Sequence, residues 1–115
     1  MISEQKVQVY PHSPEAEEAV LGAILKDGND IVNRVIGWIR EPEAFYTDGA
    51  KHLWTSILAL WKDGEDIDMI TVHNQMRKKG AIKEGATFWL SGLEESVPST
   101  ANVESYARIV WQKYI

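Results

Sequence analysis

The stretch Asp48–Lys62, D-G-A-K-H-L-W-T-S-I-L-A-L-W-K, constrains this chain more than any other part of it. At about 100° per residue, Ala50, Leu53, Trp54, Ile57, Leu58, Leu60 and Trp61 fall on one arc, with Lys51, Thr55, Ser56, Lys62 and Asp63 opposite. This is the pattern of an amphipathic helix. Its apolar arc has to be covered, because burying one large side chain is worth about 1.5–3 kcal/mol. The helix is therefore expected to be the element around which the rest packs, with Asp48 as its N-cap and Gly64 as its stop.

The flanks repeat the helical pattern. Ser13-Pro14-Glu15 supplies a hydroxyl cap, a proline where the missing amide does no harm, and acid in the first turn, which predicts a helix over 13–26. Gly22 within it permits close approach of a neighbour. A second, shorter helix is predicted over 30–39, where Gly37 and the β-branched residues would also suit a strand, and Pro42 breaks it. Asp68 or Thr71 caps a helix ending near Lys79 and Gly80, with Val72, Met76 and His73 toward the core. A helix over 86–93 is expected to put Phe88, Trp89 and Leu93 inside. After Pro98-Ser99-Thr100, which should supply the caps, Val103, Tyr106, Ala107, Val110 and Tyr114 share one face of a last helix. The expectation is an all-α domain, a compact bundle of about six helices, with residues 1–12 as a flexible arm and 13–115 as the helical head.

With 115 residues and 44% hydrophobic content, one core is expected. Twelve basic against 17 acidic residues give a net charge of -5, the wrong sign for a chain devoted to a phosphate backbone. The chain has no cysteine, which excludes disulfides and thiolate chemistry. The longest apolar run, 57–61, is far short of the roughly 20 residues of a membrane span, so a soluble, cytoplasmic protein is expected. No G-x-x-x-x-G-K-[ST] loop is present to cradle nucleotide phosphates. His12, His52 and His73 stand apart without metal-ligand spacing, and neither His52 nor His73 has sequence support as a general base. Catalytic, cofactor and metal sites are all expected to be none.

The candidates that remain are surface features. Arg77, Lys78, Lys79 and Lys83 form the one basic cluster; cations at a helix C-terminus suit the dipole, and a weak nucleic-acid contact is the functional alternative. Glu15, Glu17 and Glu18 read as first-turn acids stabilising their own helix. Of five tryptophans, Trp54, Trp61 and Trp89 lie on apolar faces. Trp38 and Trp111 lie at the rims of theirs, which suits a core edge as well as a partner surface, and with Tyr114 they are the candidates for a partner interface.

The order of motifs narrows the reading. P-H-S-P-E-A-E-E-A-V-L-G-A-I-L (11–25) resembles the opening of the N-terminal domain of DnaB-type replicative DNA helicases. It is followed in register by Phe45-Tyr46, His52 with Ile57, Gly64 with Ile67-Asp68 and Ile70-Thr71-Val72, and Gly80. Trp89-Leu90 with Leu93, Pro98-Ser99-Thr100-Ala101-Asn102, Tyr106-Ala107 and Ile109-Val110 complete it. Tyr10, Met76 and Ala86 depart from the usual pattern in ways that touch local packing. The resemblance implies a non-catalytic head that forms the collar of a homohexameric ring and docks primase, with a helicase loader as a further partner. It also implies that a helical hairpin and a RecA-like ATPase domain, the site of ATP, Mg and most DNA contact, follow in longer members. A chain ending at Ile115 then has the extent of an excised domain, expected to be a monomer or weak dimer. The alternative from another class is a free-standing helical domain binding nucleic acid or protein.

Overall fold

The computed structural model describes residues 11–115 other than Pro98. The described part holds α1 (Pro14–Asp27), α2 (Asn29–Val35), a short 3-10 turn (Pro42–Ala44), α3 (Asp48–Lys62), α4 (Met69–Lys78), α5 (Ala86–Glu95) and α6 (Val103–Tyr114). The six-helix all-α expectation is met. Most of the expected N-terminal arm, residues 1–10, lies outside the described residues; His12 at its end stacks on Tyr46, with ring centroids 3.7 Å apart and planes 3° from parallel.

The centre of the packing is α1 rather than α3. It touches α2, α3, α5 and α6, whereas α3 packs on α4, α1 and the 3-10 turn. The reason is small side chains and a bare backbone: Ala16, Val20, Leu21, Ala23, Ile24 and Leu25 are all buried, and Gly22 lets α5 come against the helix axis. A methyl group there would run into the Leu93 carbonyl oxygen and come within 2.5 Å of Val97 Cγ2. Ser13 Oγ accepts the Ala16 amide at 3.2 Å, and Gly28, at φ 69°, closes the other end with its N–H on the Ile24 carbonyl at 2.7 Å. Gly28 also lies against the Ile67 carbonyl, so its place needs glycine for space as well as for φ.

Helix α3 has the predicted bounds, but its N-cap is Thr47, whose Oγ1 accepts the Ala50 amide at 3.1 Å, so Asp48 is the first helical residue. Ser56, assigned to the polar face, is buried at 2% exposure, because α1, α4 and the 3-10 turn wrap this helix more widely than one arc. Trp54 is fully enclosed and meets Phe45 at 5.4 Å. Trp61 is half-buried and donates its indole N–H to Asn33 Oδ1 at 2.8 Å, while Trp89 is half-buried over Gly49.

Three other expectations are corrected. Helix α2 is seven residues long, because the chain turns at Ile36 and Gly37 and buries Ile39 on its way to Pro42. Phe88 is 85% exposed, since Leu90 and Leu93 define the inward side of α5 and Phe88 lies about 200° from Leu90. Helix α6 has no side-chain cap; Ser99 Oγ instead accepts the Ala101 amide within the loop at 3.1 Å. Along α6, Val103, Ala107 and Val110 are buried and Tyr106 half-buried, but Tyr114 is 40% exposed.

Candidate interaction surface

Burial of Ile39 turns its neighbour outward. Trp38 is thereby 37% exposed, and the guanidinium of Arg108 on α6 sits over its ring, 5.0 Å from the centroid. Two residues on, Arg40 lies over the Trp111 ring at 6.0 Å. Trp111 and Tyr114 meet at 5.4 Å with planes tilted by 52°, and the Tyr114 hydroxyl donates to Glu41 Oε2 at 3.2 Å. The segment 38–41 thus lies along the outer side of α6, and the three residues read from sequence as interface candidates come together on one face. Trp111 is half-buried against the core, whereas Trp38 and Tyr114 stay exposed; an exposed cation–aromatic contact such as that of Arg108 on Trp38 is worth about 0.5–1 kcal/mol. Desolvation first, and the Glu41 carboxylate second, raise the Tyr114 phenol above its ordinary value of 10.0.

The predicted basic cluster occupies another surface. Arg77 and Lys78 end α4, Lys79 is its C-cap and Lys83 lies in the loop to α5; all four are exposed, and none is within ion-pairing distance of a carboxylate among the described residues. His52 is exposed on α3, and His73 is half-buried with its Nε2 3.2 Å from Thr87 Oγ1. Among the described residues no group of three or more His, Asp or Glu side chains is placed to hold a metal, and no helix is long and apolar enough to cross a membrane.

A second polar residue, after Ser56, is buried against expectation. Glu17 is 5% exposed, and its Oε1 accepts the Tyr46 amide at 3.0 Å, clasping α1 to the segment that enters α3. Burial raises its carboxyl above 4.5, and the Tyr46 N–H and His12 draw it back in part. The signal was present in the spacing: Glu17 shares the face of Val20, Leu21 and Ile24, where a carboxylate needs an internal partner.

Six helices packed on α1, with Trp38 and Tyr114 exposed on one side, define a class by fold: an all-α head domain. Its sequence matches the family described as DnaB-like helicase N terminal domain over residues 9–112. The replicative DNA helicase DnaB of Rhodothermus marinus is 35% identical over 115 residues, 99% of this chain and 12% of that protein. That of Geobacillus stearothermophilus is 37% identical over 109 residues, 94% of this chain and 24% of that protein. The crystal structure of the N-terminal domain of DnaB helicase from Mycobacterium tuberculosis superposes with a TM-score of 0.85 at 32% identity, covering 92% of this chain and 74% of that one. This chain belongs to the family of DnaB-like helicase N-terminal domains, and it spans a quarter or less of the length of these curated relatives.

Proposed function

We propose that this domain is the non-catalytic head of a replicative DNA helicase, acting in assembly of a homohexameric collar and in docking of primase. The observation that carries the reading is family membership across nearly the whole chain, joined to the likeness to a solved DnaB N-terminal domain. The exposed rings of Trp38 and Tyr114, with Trp111 between α6 and Arg40, add a surface of the kind that partners use. In this reading ATP, Mg, strand separation in the 5'-to-3' direction and most DNA contact belong to a separate ATPase domain, a helicase loader is a further partner, and the protein works in the cytoplasm. The 115-residue chain itself is a monomer or weak dimer, because a small apolar face gives a weak contact.

The test is calorimetric titration with the C-terminal helicase-binding domain of the cognate primase, beside the same chain extended by its following hairpin. Binding by either form, weakened by Trp38→Ala or Trp111→Ala, supports the reading. Failure of both forms to bind sinks the docking function. Sedimentation of the 115-residue chain as a stable hexamer at micromolar concentration would refute the weak self-association.

A further inference from the structure

A second surface, which includes none of Trp38, Trp111 and Tyr114, runs between α4 and α5. Thr87 Oγ1 meets His73 Nε2 at 3.2 Å, and Ser91 Oγ donates to Met69 Sδ at 3.7 Å. As the number rises on one helix it falls on the other, so the two are antiparallel neighbours. Between their outer sides lies a groove of about 660 Å³ whose lining includes His73, Arg77, Lys83, Thr87 and Phe88.

Its apolar and charged parts are both unsatisfied. Phe88, in the lining, is 85% exposed, and Ile70, one turn before His73 on α4 and beyond the lining, is 79% exposed. Phe88 follows Thr87 on the α5 side, and Ile70 precedes His73 and Arg77 at helical spacings of three and seven on the α4 side. Leaving two such side chains in water forgoes about 1.5–3 kcal/mol each. At one end of the groove stand Arg77 and Lys83, with Lys78 and Lys79 adjoining, and no carboxylate among the described residues pairs with any of them. On a chain of net charge -5 this is a local inversion of sign. At the opposite end, before α4, stand Asp66 and Asp68, both exposed.

We propose that this groove docks an acidic amphipathic helix of a partner protein, seated by its apolar stripe on Ile70 and Phe88 with the carboxylates of its first turns facing Arg77 and Lys83. A helix is the occupant because paired anchors on two antiparallel lips accept residues three or four apart. The acids belong at the N-terminal end of that helix, where its own dipole favours them, and cations at its other end would meet Asp66 and Asp68. A nucleic-acid strand would use the cations and stack on Phe88 but would leave Ile70 without a contact.

The probe is an N-acetylated peptide of about 18 residues, long enough to hold a helix in water, with leucines at helical spacing and glutamates in its first two turns. A control peptide carries lysines in place of the glutamates. In a ¹H–¹⁵N titration of the 115-residue chain, the acidic peptide is expected to shift amides of α4 and α5 and to bind about tenfold more tightly than the control. Phe88→Ala and Lys83→Glu each lower its affinity about tenfold, and Trp38→Ala leaves it unchanged. Both substituted side chains are exposed, so circular dichroism should match the parent. Equal binding of the two peptides, shifts centred away from α4 and α5, or loss of binding in Trp38→Ala would overturn the proposal. So would tighter binding of an oligothymidine that displaces the peptide, which would assign the groove to single-stranded nucleic acid.

Discussion

Glu17 shows how one residue can couple the fold to pH. Its carboxyl is raised by burial, so the folded state holds the proton more tightly than the unfolded state does. The sign follows: stability is undiminished below the ordinary value of 4.5, falls as the pH rises through the raised folded value, and stays lowered above it. Glu17→Gln keeps an oxygen for the Tyr46 amide and removes the charge. The variant is expected to lose this downward slope and to be at least as stable as the parent at neutral pH, as read by urea denaturation at pH 4 and pH 7. Glycine gives a second test, in which two identical substitutions have opposite signs. Gly92 has open space where a methyl would go, so Gly92→Ala should stabilise by about 0.5–1 kcal/mol. Gly22→Ala drives a methyl into the Leu93 carbonyl and should destabilise by about 1–3 kcal/mol, measured in the same denaturation series.

Among the elements, α4 and α5 begin in opposite ways. Asp68 Oδ1 accepts the amides of Ile70 and Thr71, each at 2.9 Å, and Thr71 Oγ1 accepts the Asp68 amide at 2.9 Å, a complete capping box. Helix α5 starts from Gly85 at φ 86° with no side-chain cap and is held by its inward Leu90 and Leu93. Helix α4, burying only Val72 and Met76, depends more on its ends. Asp68→Ala is therefore expected to cost about 1 kcal/mol, seen as a lowered denaturation midpoint with an unchanged slope. If the midpoint does not move, the box contributes nothing beyond solvent.

Across the whole molecule, the loop before α6 is tied down by side chains from the α1–α2 corner. Lys26 Nζ donates to the Val97 carbonyl at 3.1 Å, and Asp27 Oδ2 accepts the Thr100 hydroxyl at 2.8 Å. Arg34 donates to the Thr100 and Ala101 carbonyls at 3.4 and 3.0 Å and approaches Glu104 at 3.7 Å. Its planar fork spans two carbonyls at once, a geometry lysine cannot copy. Arg34→Ala should destabilise by about 1–2 kcal/mol and Arg34→Lys should not restore it. Hydrogen exchange should quicken at the Ala101 and Val103 amides, whose bonds lie within this loop. Unchanged exchange there would show that the loop is held by the Val97 and Val103 side chains alone.

The helices were legible because capping residues and apolar spacing are local: Ser13-Pro14 opens α1, Asp68 caps α4, and the α3 bounds are those of its amphipathic pattern. Family membership was legible for the same reason, as motifs in register along the chain. What the spacing of one helix cannot carry is how many neighbours it has. That number made α1 the hub, buried Ser56 and Glu17, and left Phe88 in water. It also brought Trp38, Trp111 and Tyr114, from loop and terminal helix, onto one face. The sequence by itself determined which helices form, the ends that a local cap or glycine marks, and their kinship, because each of these rests on residues within a turn or two of one another. Only the tertiary structure decided which faces are covered and which side chains meet, because burial depends on elements far away in the chain.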